Sequence, residues 1–344
     1  MGSSWGVVAA LATAAFASAT ITWLWIDAAR RRGVVDQPGR RRMHALPVPR
    51  GGGIAIAVVL ASAMAGFAGF DIGGSLFWWA AFSGLVIEAT IGLRDDLQPL
   101  AVGVKLTGQG LGALPLAAFL AWHGDQAFSP TTFALTFLTV VALVNIWNFM
   151  DGSDALVTTQ TIWLALVMTG ASGLDSTRGR FACLLAAACL GFLPFNLPRA
   201  KVFLGDCGSH VLGYAVALLA LWPADEPSSE PVPRLWLTIA IAGSALWLDA
   251  GMTLMHRFSK RRTVWHAHRE HLYQLMLRRG ESHGQVLSRY LIWAVTFGTT
   301  ALLVSAYRAA ALPALASMNL IFGVALYLFW RKRLVRVQRK TVGA

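Results

Sequence analysis

Charge is what this chain has least of. Only 13% of its 344 residues are Asp, Glu, Lys or Arg, while 56% are hydrophobic, a balance that excludes an ordinary water-soluble domain and points to a polytopic membrane protein. Cysteine is nearly absent. Cys183, Cys189 and Cys207 form no C-x-x-C pair, and the first two fall within one expected helix, so neither a disulfide framework nor a zinc site is indicated. The phosphate-cradling pattern G-x-x-x-x-G-K-[ST] and the dinucleotide pattern G-x-G-x-x-G are missing, which removes the usual support for an ATPase or a nicotinamide enzyme. Positive charge is missing ahead of the first apolar run: Met1 to Trp5 carry none, and the arginines come after it. Ala17-Ser18-Ala19 resembles a signal-peptidase site, but a cleaved signal begins with positive charge, so the run is expected to stay as a first helix. No linker or soluble domain interrupts the rest of the chain, so residues 1–344 are read as a single membrane-embedded domain without visible internal repeat.

What the chain has in abundance is apolar runs, each near the roughly 20 residues a helix needs to cross a bilayer. Eleven stand at about 5–27, 53–70, 75–93, 104–122, 131–149, 155–174, 180–198, 208–223, 235–256, 288–307 and 311–330. The expectation is an all-α integral membrane fold of about 11 transmembrane helices. Basic residues orient it, because Lys and Arg in short loops are retained on the cytoplasmic side. With the amino terminus outside, every Lys and Arg falls on the cytoplasmic side except Arg178, Arg180, Arg234 and Arg308, and the outside loop 224–233 is acidic. The tail RKRLVRVQRK is then cytoplasmic too, where it meets anionic lipid headgroups. The net charge of +12 therefore describes one face, and no nucleic-acid recognition fold competes to explain it.

Five aspartates occupy three polar breaks: Asp95 and Asp96 in GLRDDL, Asp151 and Asp154 in NFMDGSDAL, and Asp206 in FLGDCGS. The topology delivers all five to cytoplasmic helix ends, where a converging carboxylate cluster calls for cations. Mg²⁺ suits it, since this ion prefers oxygen ligands and commonly uses one or two carboxylates with substrate phosphates and water. Acids in surplus of that need could hydrogen-bond a sugar or nucleoside or act as base. The plainer alternative is capping, with Asp151 and Asp154 at the start of the sixth helix.

Basic and histidine-rich segments share that side. Asp36, Arg41, Arg42, His44 and Arg50 precede Gly51 to Gly53 at the start of the second helix. Amides of a glycine-rich helix start can bind phosphate, although retention of positive charge inside explains the arginines equally well. In TVWHAHREHLYQ, His266, His268, Arg269, His271, Tyr273 and Gln274 lie within nine residues. Zinc is disfavoured, because Arg269 stands between two ligands and no Cys or second acid is near. A solvated amphipathic helix remains an alternative to an anion grip on a diphosphate. Asn145 and Asn148 either read a nucleobase or sugar or close a helix end. Lys201 either touches phosphate or snorkels to the interface, and Cys207 is a packing residue. Glu88 and Asp249 fall inside expected spans, where a carboxyl is a functional candidate by default, and their roles stay open.

The ordered motifs DQPxxRRMHxxPVPRGGG, GLRDDL, NxxNFMDGSDAL, NLPxAKVFLGDCGS and HAHREHLYQ cover nearly the whole chain. On them it resembles the polyprenyl-phosphate N-acetylhexosamine-1-phosphate transferases. The resemblance implies a multi-pass enzyme of the bacterial inner membrane, dependent on Mg²⁺ with Mn²⁺ as a substitute. It would move a sugar 1-phosphate from a UDP-N-acetylhexosamine to undecaprenyl phosphate, releasing UMP and starting a lipid-linked glycan. It implies Asp206 as first metal ligand, and Asp95 with Asp96 at the lipid phosphate or metal. It also implies Asn148, Asp151 and Asp154 at the nucleotide-sugar or in the metal network, Arg42 and His44 at a phosphate site, and His266, His268 and His271 on the diphosphate. The chain departs from the usual pattern with Arg42 for Lys and Ala155 for Gly, both expected to be tolerated. Its histidine segment is similar to the O-antigen branch, which implies a 6-deoxy-aminosugar such as N-acetylfucosamine or N-acetylquinovosamine, with N-acetylglucosamine the alternative. A homodimer is left open, as is the choice between one displacement and two. From another class, a secondary transporter or lipid flippase would use Glu88 and Asp249.

Overall fold

A computed structural model describes residues 4–37, 47–123, 127–223, 232–263 and 269–342. The fold is all-α apart from a two-residue antiparallel pair, β1 (Val35–Asp36) with β2 (Val48–Pro49). The helices are α1 (Ser4–Arg31), α2 (Ile54–Gly69), α3 (Ser75–Leu97), α4 (Val102–Trp122), α5 (Pro130–Met150), α6 (Leu156–Ser172) and α7 (Thr177–Asn196). They continue with α8 (Gly205–Ala220), α9 (Val232–Ala242), α10 (Ser244–Ser259), α11 (Leu272–Leu277), α12 (His283–Arg308) and α13 (Leu312–Val342). Every apolar run of the sequence is helical, because a segment in lipid must satisfy its backbone internally.

Local chemistry sets the boundaries. Ser129 caps α5 by accepting from Thr132 N, with Pro130 in the first turn, and Ser176 caps α7 by accepting from Gly179 N. Ser282 and Gln285 form a reciprocal capping box on α12.

Length and composition qualify six of the described segments as membrane spans, and a seventh if the pair α9–α10, bent by 74°, counts as one. The last of the six, His283–Leu334, holds both final apolar runs. Three other runs give helices too short by that measure: α2, α6 and α8 have 16, 17 and 16 residues. They gain burial instead, and α8 is walled in almost throughout. It packs between α3 and α5, while α1 lies on α7, α6 on α7, and α12 on α6 and α9. Side chains such as Phe16, Leu76, Leu138, Ile292 and Ile321 face outward, as apolar helices do in lipid. Without a strong hydrophobic drive between helices, close packing through small residues has to hold such a bundle.

Candidate active site

The C-terminal end of α3, the start of α4, the end of α5 and the start of α8 meet at one place, and each carries part of a charged cluster. Asp95 and Asp96 sit in the last turn of α3 and Asp206 in the first turn of α8, where a negative charge favours the helix dipole. Lys105, near the start of α4, hydrogen-bonds both Asp95 Oδ2, at 3.1 Å, and Asp206 Oδ2. Asp95 Oδ1 also accepts from Leu100 N at 2.6 Å. The lysine ammonium thus stands where two carboxylates need a cation.

Asp96 has a different environment. Its Oδ1 accepts from Arg50 Nη2 at 3.1 Å and from Asp206 N at 3.0 Å, and its Oδ2 accepts from Cys207 N at 3.0 Å. The side chain has no exposed surface. A metal or lipid-phosphate role, expected from the sequence, finds no open oxygen here: Asp96 satisfies the first amides of α8 from a neighbouring helix. Cys207 is buried beside it.

The glycine run also differs from the phosphate-cradle expectation. Gly52 N donates to Phe203 O at 3.0 Å and Gly53 N to Leu204 O at 2.9 Å, so these amides are spent on the segment leading into α8. A Cβ on Gly53 would overlap Gly208 Cα. Glycine is needed because α2 and α8 cross backbone to backbone.

Asp151 closes α5, with its amide donating to Asn148 O at 3.3 Å. Burial, then the charges of Asp206 and Asp96, push its carboxyl well above the usual carboxylate range, with Arg50 opposing. Asp154 does not cap α6; its Oδ2 accepts from Ala200 N at 3.2 Å and its Oδ1 lies 3.4 Å from His283 Nδ1. The position before α6 is Ala155 at φ +59°, a left-handed conformation that glycine would adopt without strain. Its amide donates to Asn196 Oδ1 at 3.1 Å. Asn148 Nδ2 donates to Ser209 Oγ at 3.1 Å, joining α5 to α8 one turn from Asp206. Asn145 faces Gln109 at 2.7 Å. Lys201 is exposed on the turn before α8.

Arg42, His44, His266 and His268 lie outside the described residues. Arg269 is exposed. His271, expected on the diphosphate, is instead buried as the N-cap of α11, 3.7 Å from Asp249 Oδ1 and stacked between the Phe149 and Tyr273 rings. Beside it Glu270 binds Arg257 at 2.6 Å, Arg262 at 2.9 Å and Arg331 at 3.6 Å. Burial alone would raise the Glu270 carboxyl, but these arginines hold it below the ordinary range. Sequence reasoning missed Lys105, Ser209 and His283 as site residues. For His283 the only signal was a histidine at a Ser-capped helix start.

Comparisons with known proteins agree with the motifs. Residues 78–224 match the profile described as glycosyl transferase family 4. The chain is 30% identical over 334 residues to a decaprenyl-phosphate N-acetylglucosaminephosphotransferase of Mycobacterium tuberculosis, covering 85% of this chain and 80% of the relative. It is 29% identical to a probable undecaprenyl-phosphate N-acetylglucosaminyl 1-phosphate transferase of Bacillus subtilis, over 76% of this chain and 74% of the relative. It is 27% identical to the undecaprenyl-phosphate alpha-N-acetylglucosaminyl 1-phosphate transferase of Escherichia coli K12, over 73% and 71%. With a relative 30% identical and matched along most of both chains, the chain belongs to the polyprenyl-phosphate N-acetylhexosamine-1-phosphate transferases of glycosyl transferase family 4.

Proposed function

We propose that this chain transfers an N-acetylhexosamine 1-phosphate from a UDP-sugar to undecaprenyl phosphate at the cytoplasmic face of a bacterial membrane. The observation that carries the reading is the pairing of Asp95 and Asp206 across a single ammonium, Lys105. Among the described residues no three His, Cys, Asp or Glu side chains form a closed metal site. Two carboxylates opened by one lysine nevertheless fit Mg²⁺, which commonly takes one or two protein carboxylates and completes its shell with phosphates and water. Asp95 and Asp206 would hold it, and it would supply charge neutralisation for the donor diphosphate.

The chain's own groups do the rest by placement. A phosphate oxygen of the lipid attacks the β-phosphorus, the bond to the bridging oxygen breaks, and UMP leaves with the electron pair. The nucleophile is already an anion, so no aspartate has to remove a proton from it. Positioning and charge carry such a transfer. Lys105 stabilises the carboxylate pair and adds positive charge at the diphosphate. Asp151, held above the ordinary range, carries a proton more readily than a solvent-exposed acid and so can donate a hydrogen bond to the nucleotide-sugar.

HAHREHLYQ supports a 6-deoxy-aminosugar donor, while the three relatives carry N-acetylglucosamine in their names. Purified protein with Mg²⁺, undecaprenyl phosphate and a panel of UDP-sugars tests both, read as UMP release. No UMP from any UDP-N-acetylhexosamine or 6-deoxy relative would sink the transferase reading. A transporter would need Glu88 and Asp249 free to bind cargo; Asp249 is instead saturated by donors from its own fold.

A further inference from the structure

Asp249 is an acid deep in a membrane bundle that the proposed chemistry does not use, and its surroundings are unusually complete. From α10 its Oδ1 accepts from Leu272 N at 2.7 Å and from Thr253 Oγ1 at 3.2 Å. Its Oδ2 accepts from Tyr273 N at 3.3 Å and from Tyr290 OH at 2.6 Å, and His271 Nδ1 stands 3.7 Å away. Two of these donors are first-turn amides of α11, which a capping side chain within the segment would normally satisfy. α11 has six residues, too few to hold helical structure alone. Its own His271–Gln274 capping box serves the N-cap and third amides, and the first two amides are held by a carboxylate from another helix.

From that first turn Tyr273 reaches the turn between α5 and α6 that carries Asp151. Its hydroxyl donates to Phe149 O at 3.0 Å, two residues before Asp151, and accepts from Gln274 Nε2 at 3.0 Å. A Cβ on Gly152 would overlap the same hydroxyl and stand 3.0 Å from Tyr273 Cζ, so the loop rests directly on the phenol. The contacts run without a gap from Asp249 through the α11 amides and Tyr273 to the backbone on either side of Asp151.

We propose that Asp249 is a positioning residue, which through α11 and the Tyr273 hydroxyl sets where Asp151 stands in the site. Its functional consequence rests on the transferase reading. A carboxylate is required because four donors converge on its two oxygens. Asparagine would turn its NH₂ toward two of them.

The test uses the full chain in detergent with Asp249→Asn, Tyr273→Phe and the double variant. Amide deuterium exchange is followed over residues 149–155 and 205–209, beside kcat and KM for UMP release. Either single variant is expected to raise exchange over 149–155 by about tenfold while leaving 205–209 unchanged. Each should lower kcat/KM for the UDP-sugar by about tenfold with KM for undecaprenyl phosphate within about threefold. The double variant should be no worse than the worse single, since both break one link. Wild-type exchange over 149–155 in Tyr273→Phe, which keeps the ring packing, would overturn the proposal, and so would losses that multiply in the double variant. Should the wild-type protein release no UMP, the transferase reading falls while the exchange data still decide the role of Asp249.

Discussion

Replacing Gly53 with alanine adds one methyl where α2 crosses α8. The backbone there has φ −61°, so alanine brings no conformational strain, and the whole effect is steric. The new Cβ would overlap Gly208 Cα and stand 2.5 Å from Gly208 N and 3.0 Å from Leu204 O. All three are backbone atoms, so no rotamer change relieves the clash. Carbon atoms rest about 3.5–4.0 Å apart, hence the two helix starts must separate by roughly 1 Å or more. Overpacking of this kind costs about 1–3 kcal/mol. The separation also stretches the hydrogen bonds from Gly52 N to Phe203 O and from Gly53 N to Leu204 O, each worth about 1 kcal/mol. The expected loss is roughly 3–5 kcal/mol. Because Asp206 moves with the start of α8, UMP release should fall by about 100-fold. The control is Gly66→Ala on the same helix, where nothing lies within 4 Å of the added carbon and helix propensity favours alanine by up to about 1 kcal/mol. Thermal unfolding of the two variants in one detergent, beside UMP release, checks this. If Gly53→Ala unfolds like Gly66→Ala and changes only KM for the donor, the glycines serve phosphate and not packing.

Asp96→Asn leaves the partly exposed Arg50 facing a neutral group and turns an NH₂ toward one of the α8 amide donors, a loss of about 1–3 kcal/mol. The variant should therefore be destabilised with or without Mg²⁺; a stable but inactive protein would return Asp96 to the metal. Lys105→Met removes the cation between Asp95 and Asp206, so stability without divalent ions should drop and Mg²⁺ should restore more of it than in the wild-type protein. Equal Mg²⁺ responses in thermal unfolding would refute that. For Asp151, burial and the charges of Asp206 and Asp96 raise the folded-state value. Its contribution to stability is then fully present below the ordinary carboxylate value, about 3.9, and is lost as pH rises through the folded one. Asp151→Asn should gain stability over the wild-type protein as the pH is taken from about 4 to about 8; a difference that stays flat with pH would refute the assignment.

Helix positions were legible because apolar runs in a chain this poor in charge have one good fate. Helix lengths were not, since hydropathy cannot see that α8 ends up enclosed by protein rather than by lipid. The meeting of Asp95 with Asp206 was legible through loop-side reasoning, because both had to lie at helix ends on one face. Lys105 escaped notice because positive-inside retention already explained it, and its partners lie ten residues before it and 101 after it. At Gly51–Gly53 the same three letters describe a phosphate cradle and a helix crossing; what decides is Gly208, which no local pattern ties to them.

The sharpest limit lies inside the pair Asp95-Asp96. Successive residues on a helix point about 100° apart, so at the end of α3 the two identical side chains cannot share one environment. Asp95 turns toward Lys105 and the open side of the cluster, and Asp96 toward Arg50 and the amides of α8. Asp95 keeps a partly exposed carboxylate, while Asp96 holds the first amides of the helix that carries Asp206. Loss of activity on substituting either would look the same, and only stability separates them: Asp95 variants should keep wild-type stability, while Asp96 variants should be destabilised at the first turn of α8, which carries Asp206.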